Sequence, residues 1–225
     1  MKARIQGIWK HGDVRHLVGG GRYKLLKTGT ELLAGFGFTW YLANLASAGV
    51  FEEFVYLTSM LSMLSICAYV GMDDSMTRSV ARGFESSFRR GMVFASKIAL
   101  SGSLILVLFA AYYGYLGQGN RAAGLLVCAL FFPVFRPLQA FNLFLNGRQE
   151  FSREAQYQSA LIVTRIGAGV LATLLLPGVV WTVMLAYLGS HFILAGYFCM
   201  RCQRDVVKGD DDPELIGYGA FGTLV

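Results

Sequence analysis

Charge is what this sequence has least of. Asp, Glu, Lys and Arg make up 15% of its 225 residues, against roughly 25% in an ordinary globular protein. So few charges do not cover a water-facing surface. Histidine is scarcer: three residues, two of them at His11 and His16, leave no metal-ligand set and no nucleophile–base triad. Four cysteines form no disulfide framework. Cys67 and Cys128 lie inside apolar runs as small hydrophobes, and Cys199 and Cys202 make a single C-x-x-C without the second pair a zinc site needs. Reversible acylation at a membrane edge is the alternative for that pair. Neither a metal nor a cofactor is expected. The acids cluster at Glu52/Glu53, Asp73/Asp74 and Asp210–Asp212, at span ends or in loops. Asp73/Asp74 reads as a solvated pair near Arg78 and Arg82 rather than a paired-carboxylate reaction centre. The chain is read as a non-enzyme.

Apolar residues are abundant, at 55%. They fall into six runs near the ~20 residues a bilayer requires, at 28–48, 54–72, 92–115, 122–145, 156–176 and 179–199. The expected fold is an all-α polytopic membrane protein with six transmembrane helices. Three segments follow: a basic N-terminal segment at 1–27, a six-helix region at 28–201, and an acidic linker at 202–225 that ends like the start of a seventh helix. Ala46-Ser47-Ala48 imitates a signal-peptidase site, but a basic leader of 27 residues is long for an ordinary n-region, and a retained first helix is expected.

The net charge of +6 resides entirely in residues 1–27, which hold seven basic groups and one acid. Basic residues beside a first apolar run fix orientation and touch anionic membrane lipid. No reading motif accompanies them, so a nucleic-acid partner is excluded. Counting alternate segments places 16 Lys and Arg on one side and only Arg121 on the other. The N-terminus is therefore expected in the cytoplasm, in a multi-pass protein of the cell (inner) membrane. Tyr112, Tyr113, Tyr115 and Trp181 fit interfacial aromatics on the opposite face, and Gly35, Gly37, Gly167 and Gly169 read as helix-packing positions.

Ionisable groups at bilayer depth cost ~2.5–3.5 kcal/mol on insertion scales and are functional candidates by default. Arg136 is nine residues from the inner end of the fourth run, ~13 Å deep at 1.5 Å per residue. Arg165 is nine residues into the fifth and reaches the same level. Sharing a level does not establish a shared face. Pro133 and Pro137 bracket Arg136 and predict a helix break there, and a cation at a broken mid-membrane helix points to a transport site. The alternative is an arginine that satisfies carbonyls freed by the prolines. His191, Glu31 and Lys97 are further candidates for coupling or cavity lining, against packing, helix-terminal and snorkelling roles respectively.

The stretch Gly71-Met72-Asp73-Asp74-Ser75-Met76-Thr77-Arg78-Ser79-Val80-Ala81 resembles the cytoplasmic loop after the second helix of polysaccharide-biosynthesis flippases, with Gly71, Asp73 and Arg78 carrying the pattern. Residues 136–151, with Arg136 and then Gly147-Arg148-Gln149-Glu150-Phe151, are similar to that family's fourth-to-fifth helix hairpin, and Arg165 also fits. These are the Wzx-like oligosaccharide translocases of the multidrug/oligosaccharidyl-lipid/polysaccharide (MOP) exporter superfamily. The loop at 50–55 departs from the family in lacking a glycine.

The resemblance implies two six-helix lobes around a cationic cavity. It also implies alternating-access flipping of a polyprenyl-pyrophosphate-linked oligosaccharide. This chain would supply the N-terminal lobe, with Arg136 and Arg165 as substrate-binding cations. The second lobe would belong to the same longer chain or to a dimer partner. Alternatives are a cation-coupled multidrug exporter of the same superfamily, which would want buried acids, and a non-transporting membrane enzyme or subunit of polyprenyl-phosphate glycan assembly.

Overall fold

The computed structural model describes residues 11–69, 72–207, 209 and 211–215, with the side chains of 11–19, 48, 66–69 and 136 outside that description. Every regular element among them is helical: α1 (His11–Asn44), α2 (Ala48–Tyr69), α3 (Met72–Ala81), α4 (Ser87–Tyr115), α5 (Gly119–Leu138), α6 (Ala140–Gly147), α7 (Phe151–Leu175) and α8 (Val180–Asp205). Four stretches are long and apolar enough to cross a membrane: Ser87–Tyr115, Gly119–Gly147, Phe151–Leu175 and Val180–Asp205. They coincide with the expected third to sixth spans. Their flanks are apolar outward as well as inward. Leu104, Leu130, Leu174 and Ile193 are between 62% and 73% exposed, which suits hydrocarbon and not water.

Helices α1 and α2 occupy the first two expected spans but lie outside these four. α1 also runs unbroken through the expected boundary at 27/28, because its basic residues find partners on α7. Lys27 Nζ lies 2.8 Å from Glu154 Oε1, and Lys24 sits 5.1 Å from the centre of the Phe151 ring.

Two sequence expectations need correction. The stretch after the second run is a helix, α3, and not a loop. Asp73 and Asp74 occupy its first turn and Arg78 its last, which suits the helix dipole at both ends. Met72, Met76 and Val80 bury one face. Gly71 lies outside the described residues. The second correction concerns the prolines. α5 continues through Pro133 and Pro137, and the interruption falls at Gln139, between α5 and α6. Pro133 has no N–H for the carbonyl of Ala129, and the Ser103 hydroxyl of α4 donates to that oxygen instead. With the freed acceptor satisfied from a neighbouring helix, the chain does not have to break there.

The expected packing glycines also differ. A Cβ on Gly35, Gly37 or Gly167 would meet nothing, whereas one on Gly169 would lie 2.8 Å from the Phe38 ring. The tightest approach is Gly102 of α4 against Phe132 of α5, in the most extensively packed helix pair. Gly147 serves a similar purpose at the α6–α7 turn, where a Cβ would come within 2.8 Å of Val80. The left-handed residue of that turn is Gln149, with φ 60°. Cys199 and Cys202 are free and buried, which removes acylation as a role for the pair.

One end of the bundle is clasped by charge. Arg148 Nε and Nη2 donate to Glu85 Oε1 and Oε2 at 2.7 and 2.8 Å, and Nη2 also donates to the Asp205 carbonyl at 2.8 Å. Arg153 pairs with Asp205 at 2.7 Å and with Glu150 at 3.3 Å. Asp212, beyond α8, is held there as well. Ser79 Oγ donates to Asp212 Oδ2 at 2.6 Å, and the Asp212 amide donates to Ser87 Oγ at 2.6 Å. At the opposite end Arg121 makes a two-pronged contact with Glu53, with Nε–Oε2 at 2.8 Å and Nη2–Oε1 at 2.6 Å. Its guanidinium lies 4.9 and 5.0 Å from the ring centres of Tyr56 and Tyr113. The basic-rich connections thus gather at one end, as the alternation of charge predicts.

Gly102→Val is expected to lower stability by roughly 1–3 kcal/mol through overpacking against Phe132, read as a lower Tm in detergent. An unchanged Tm would contradict the α4–α5 contact. Glu85 gives a pH test. Burial would raise its carboxyl, but hydrogen bonds from Arg148 and the Val207 amide outweigh burial and hold it below its ordinary value of 4.5. A carboxyl lowered in the folded state contributes stability above its unfolded pKa and loses it as pH falls through the folded value. Glu85→Gln is expected to cost roughly 1–3 kcal/mol at neutral pH. The gap from wild type is expected to close once the pH is taken below the lowered folded value. A gap independent of pH would show that the carboxylate charge is not what holds the clasp.

Candidate functional site

The bundle core is divided. One buried apolar cluster holds Phe38, Leu57, Leu106, Leu125, Phe132 and Leu188. The other holds Met76, Phe88, Phe141, Phe144, Leu161 and Phe198. The boundary falls between Phe132 of α5 and Phe141 of α6, on α7 beyond Leu161, and on α8 between Leu188 and Ala195. Arg136, Arg165 and His191 all occupy that boundary in sequence. A cavity of about 260 Å³ opens there between α2, α5, α7 and α8.

Arg165 lines the cavity from α7. It is half-buried, and its guanidinium carbon lies 4.6 Å from the centre of the Tyr187 ring on α8. A ring face attracts a cation but leaves its N–H groups unused. The Arg165 Nε is buried and has no hydrogen-bond acceptor. On α2, Thr58, Ser62 and Ser65 fall on one helical stripe and face the same space. The Thr58 and Ser65 hydroxyls donate to carbonyls of their own helix, at Phe54 and Ser62. Phe135 and Gln139 line the cavity where α5 gives way to α6. Among the described residues no carboxylate lines it.

The sequence candidates divide accordingly. Arg165 is in the cavity. Arg136 lies on α5 between Phe135 and Gln139, which both line the cavity, and its side chain falls outside the described residues. His191 is fully buried on α8, with its ring centre 4.3 Å from that of Phe135. Phe135 also lines the cavity, which puts His191 one side chain away from it. Neither imidazole nitrogen has a well-formed hydrogen bond, although the Phe135 backbone is near.

Glu31 is remote from the cavity, accepting a 3.3 Å hydrogen bond from Gln158 Nε2. Lys97 is exposed and lines a different cavity at the charged end of α4. Asp73 and Arg78 are on α3, and neither lines the cavity.

Sequence reasoning missed several polar residues. Tyr187 and Gln139 look like ordinary span residues until the helices are assembled. Glu154 is 2% exposed and pairs with Lys27, and Gln158 also accepts from Asn142 Nδ2 at 3.1 Å. Glu154, Gln158 and Arg165 are spaced four and seven apart, the signature of one helix face. Starting the fifth span at residue 156 concealed that stripe by leaving Glu154 in the preceding turn.

The arrangement combines a half-buried cation, hydroxyls, an amide and an aromatic face, without an acid among the described residues. Such a site attracts an anion and offers no nucleophile–base pair. About 260 Å³ lies below the roughly 300–1,000 Å³ of ordinary small-molecule sites, so it suits a compact anionic group. Comparison of the chain with protein-family models, curated proteins and solved structures returned no match.

Proposed function

We propose that this chain forms one lobe of a flippase that moves a polyprenyl-pyrophosphate-linked oligosaccharide across the cell membrane by alternating access. The observation carrying this reading is Arg165, a half-buried cation in a mid-bundle cavity with an unused buried donor and, among the described residues, no carboxylate in the lining. A pyrophosphate supplies the missing acceptor, and the planar guanidinium suits phosphate oxygens. Arg136, on the helix that borders the cavity beside Phe135, is the second proposed cation. Its side of the site is close to the α5–α6 interruption, where the backbone departs from regular helix.

In this reading α1 and α2 cross the membrane with the other four, giving six spans with the N-terminus in the cytoplasm. A second six-helix lobe, in the same chain or a dimer partner, completes the cavity and encloses the glycan. The polyprenyl tail stays in the lipid. The acid-free lining favours an anionic substrate over a cation-coupled drug exporter, which would require a carboxylate at that level. The buried Glu154 does not meet that requirement, because it is already paired with Lys27.

The test uses the protein together with its second lobe, in cells that depend on it for surface glycan. Arg165→Ala is expected to reduce export about tenfold or more at wild-type abundance, the loss of a charge-assisted contact. Arg165→Lys is expected to restore part of it, and Arg136 variants to behave in the same way. Wild-type export in the Arg136→Ala/Arg165→Ala double variant, correctly inserted, would overturn the proposal.

A further inference from the structure

A second cavity, of about 510 Å³, lies beside the first turns of α4 and is lined by Arg89, Arg90, Val93, Phe94, Lys97 and Asp211. Positions 86, 89, 90, 93 and 97 fall on one face of α4, because they recur at three- and four-residue intervals. Arg89, Arg90 and Lys97 are all exposed. Among the described residues none of the three is paired with a carboxylate, in contrast to Arg121, Arg148 and Arg153. Three cations converge on one space with a single acid opposite.

The same face continues without charge. Val93, Leu100, Leu104 and Leu108 are 50%, 58%, 62% and 62% exposed and carry the stripe along α4. Lys97 is seven residues beyond Arg90, ~10 Å along the axis, and its flexible stem reaches back toward the charged end. The result is a cationic recess at the end of a membrane-spanning helix, followed by an open apolar strip. A phosphate headgroup with attached acyl chains has this same order of charge and hydrocarbon.

We infer that this recess binds an anionic phospholipid, with the phosphate held by Arg89, Arg90 and Lys97 and the chains laid along α4. Asp211 accepts a hydrogen bond from a headgroup hydroxyl, as a glycerol headgroup provides. A free phosphate ion would use the same cations but would have no use for the apolar strip. The site is separate from the Arg165 cavity, and it stands on the chain's crossing a membrane and not on the transport reading.

The test is native mass spectrometry of the full protein in detergent, titrated with phosphatidylglycerol or phosphatidylcholine of matched chains. Phosphatidylglycerol is expected to bind about tenfold or more tightly than phosphatidylcholine, and R89Q/R90Q/K97Q to remove that preference, given what each basic residue contributes at an anionic surface. R22Q/R201Q/R204Q removes the same charge from the same end of the bundle and is expected to leave the preference intact. R89K/R90K keeps the charge and is expected to retain it too. Equal losses in the two glutamine triple variants, or loss in the lysine variant, would overturn the site. An absent preference for phosphatidylglycerol in the wild type would overturn it as well. Inorganic phosphate binding as tightly as the lipid would overturn the lipid assignment.

Discussion

A buried N–H needs an acceptor, and among the described residues the interior of this bundle supplies none to Arg165 Nε. Two apolar clusters fill the core above and below, and the layer between them holds Arg165, His191, Gln139 and the α5 segment that carries Arg136. An aromatic face covers part of the guanidinium, but a ring cannot accept its in-plane N–H groups as a carboxylate does. A core designed for stability alone would place an acceptor there or dispense with the arginine, since a buried donor left without a partner costs stability. The neighbouring helices show that this chain is able to pair its charges. Lys27 meets Glu154, Arg121 meets Glu53 and Arg148 meets Glu85. Inside the bundle Arg165 has no such partner among the described residues, at a level where an incoming anion would be worth most.

The two ends use different physics to support that layer. At one end a network of Glu85, Arg148, Glu150, Arg153 and Asp205 joins the α3–α4 connection, the α6–α7 turn and the end of α8. Asp212 then draws the following segment onto Ser79 and Ser87. At the other end one arginine between two tyrosines joins α2, α4 and α5. Charged networks in contact with water are maintained by many weak links, and no single pair governs them. The lone Arg121 contact is more localised, so α2 is tied to α5 at its start and reaches the cavity mainly through Thr58, Ser62 and Ser65.

The four strongly apolar helices were legible because their runs are long, charge-poor and separated by turn residues. α3 was not. Its ten residues are polar on average, and only the burial of Met72, Met76 and Val80 against α4 and α6 makes a helix of them. Pro133 misled for a related reason. Proline removes a donor, and the cost of that depends on whether another helix supplies a replacement, as Ser103 does here. Arg165 could be picked out by depth alone. Tyr187 and Gln139 could not, because nothing in a single helix says which aromatic or amide will face a cavity. Lys97 has the wrong direction, since one position's rotation about α4 separates the bundle interior from the flank on which it is exposed.

The size of the Arg165 cavity bears on how much of a site this chain provides. At about 260 Å³ it has room for roughly eight waters at ~30 Å³ each, and so for a phosphate-sized group without its glycan. A doubly phosphorylated headgroup presents more acceptors than one guanidinium has donors, and the hydroxyls of Thr58 and Ser65 already donate within α2. Donors beyond Arg165 would therefore come from Ser62, Tyr187 or Gln139 of the lining, from Arg136 on α5, or from groups outside this chain. Under the proposed transport reading, a lobe that supplied only part of an anion site would hold its ligand weakly alone and firmly once a second surface closed over it. Alternating access would require such behaviour, because a site that binds its substrate equally in every conformation gains nothing from moving.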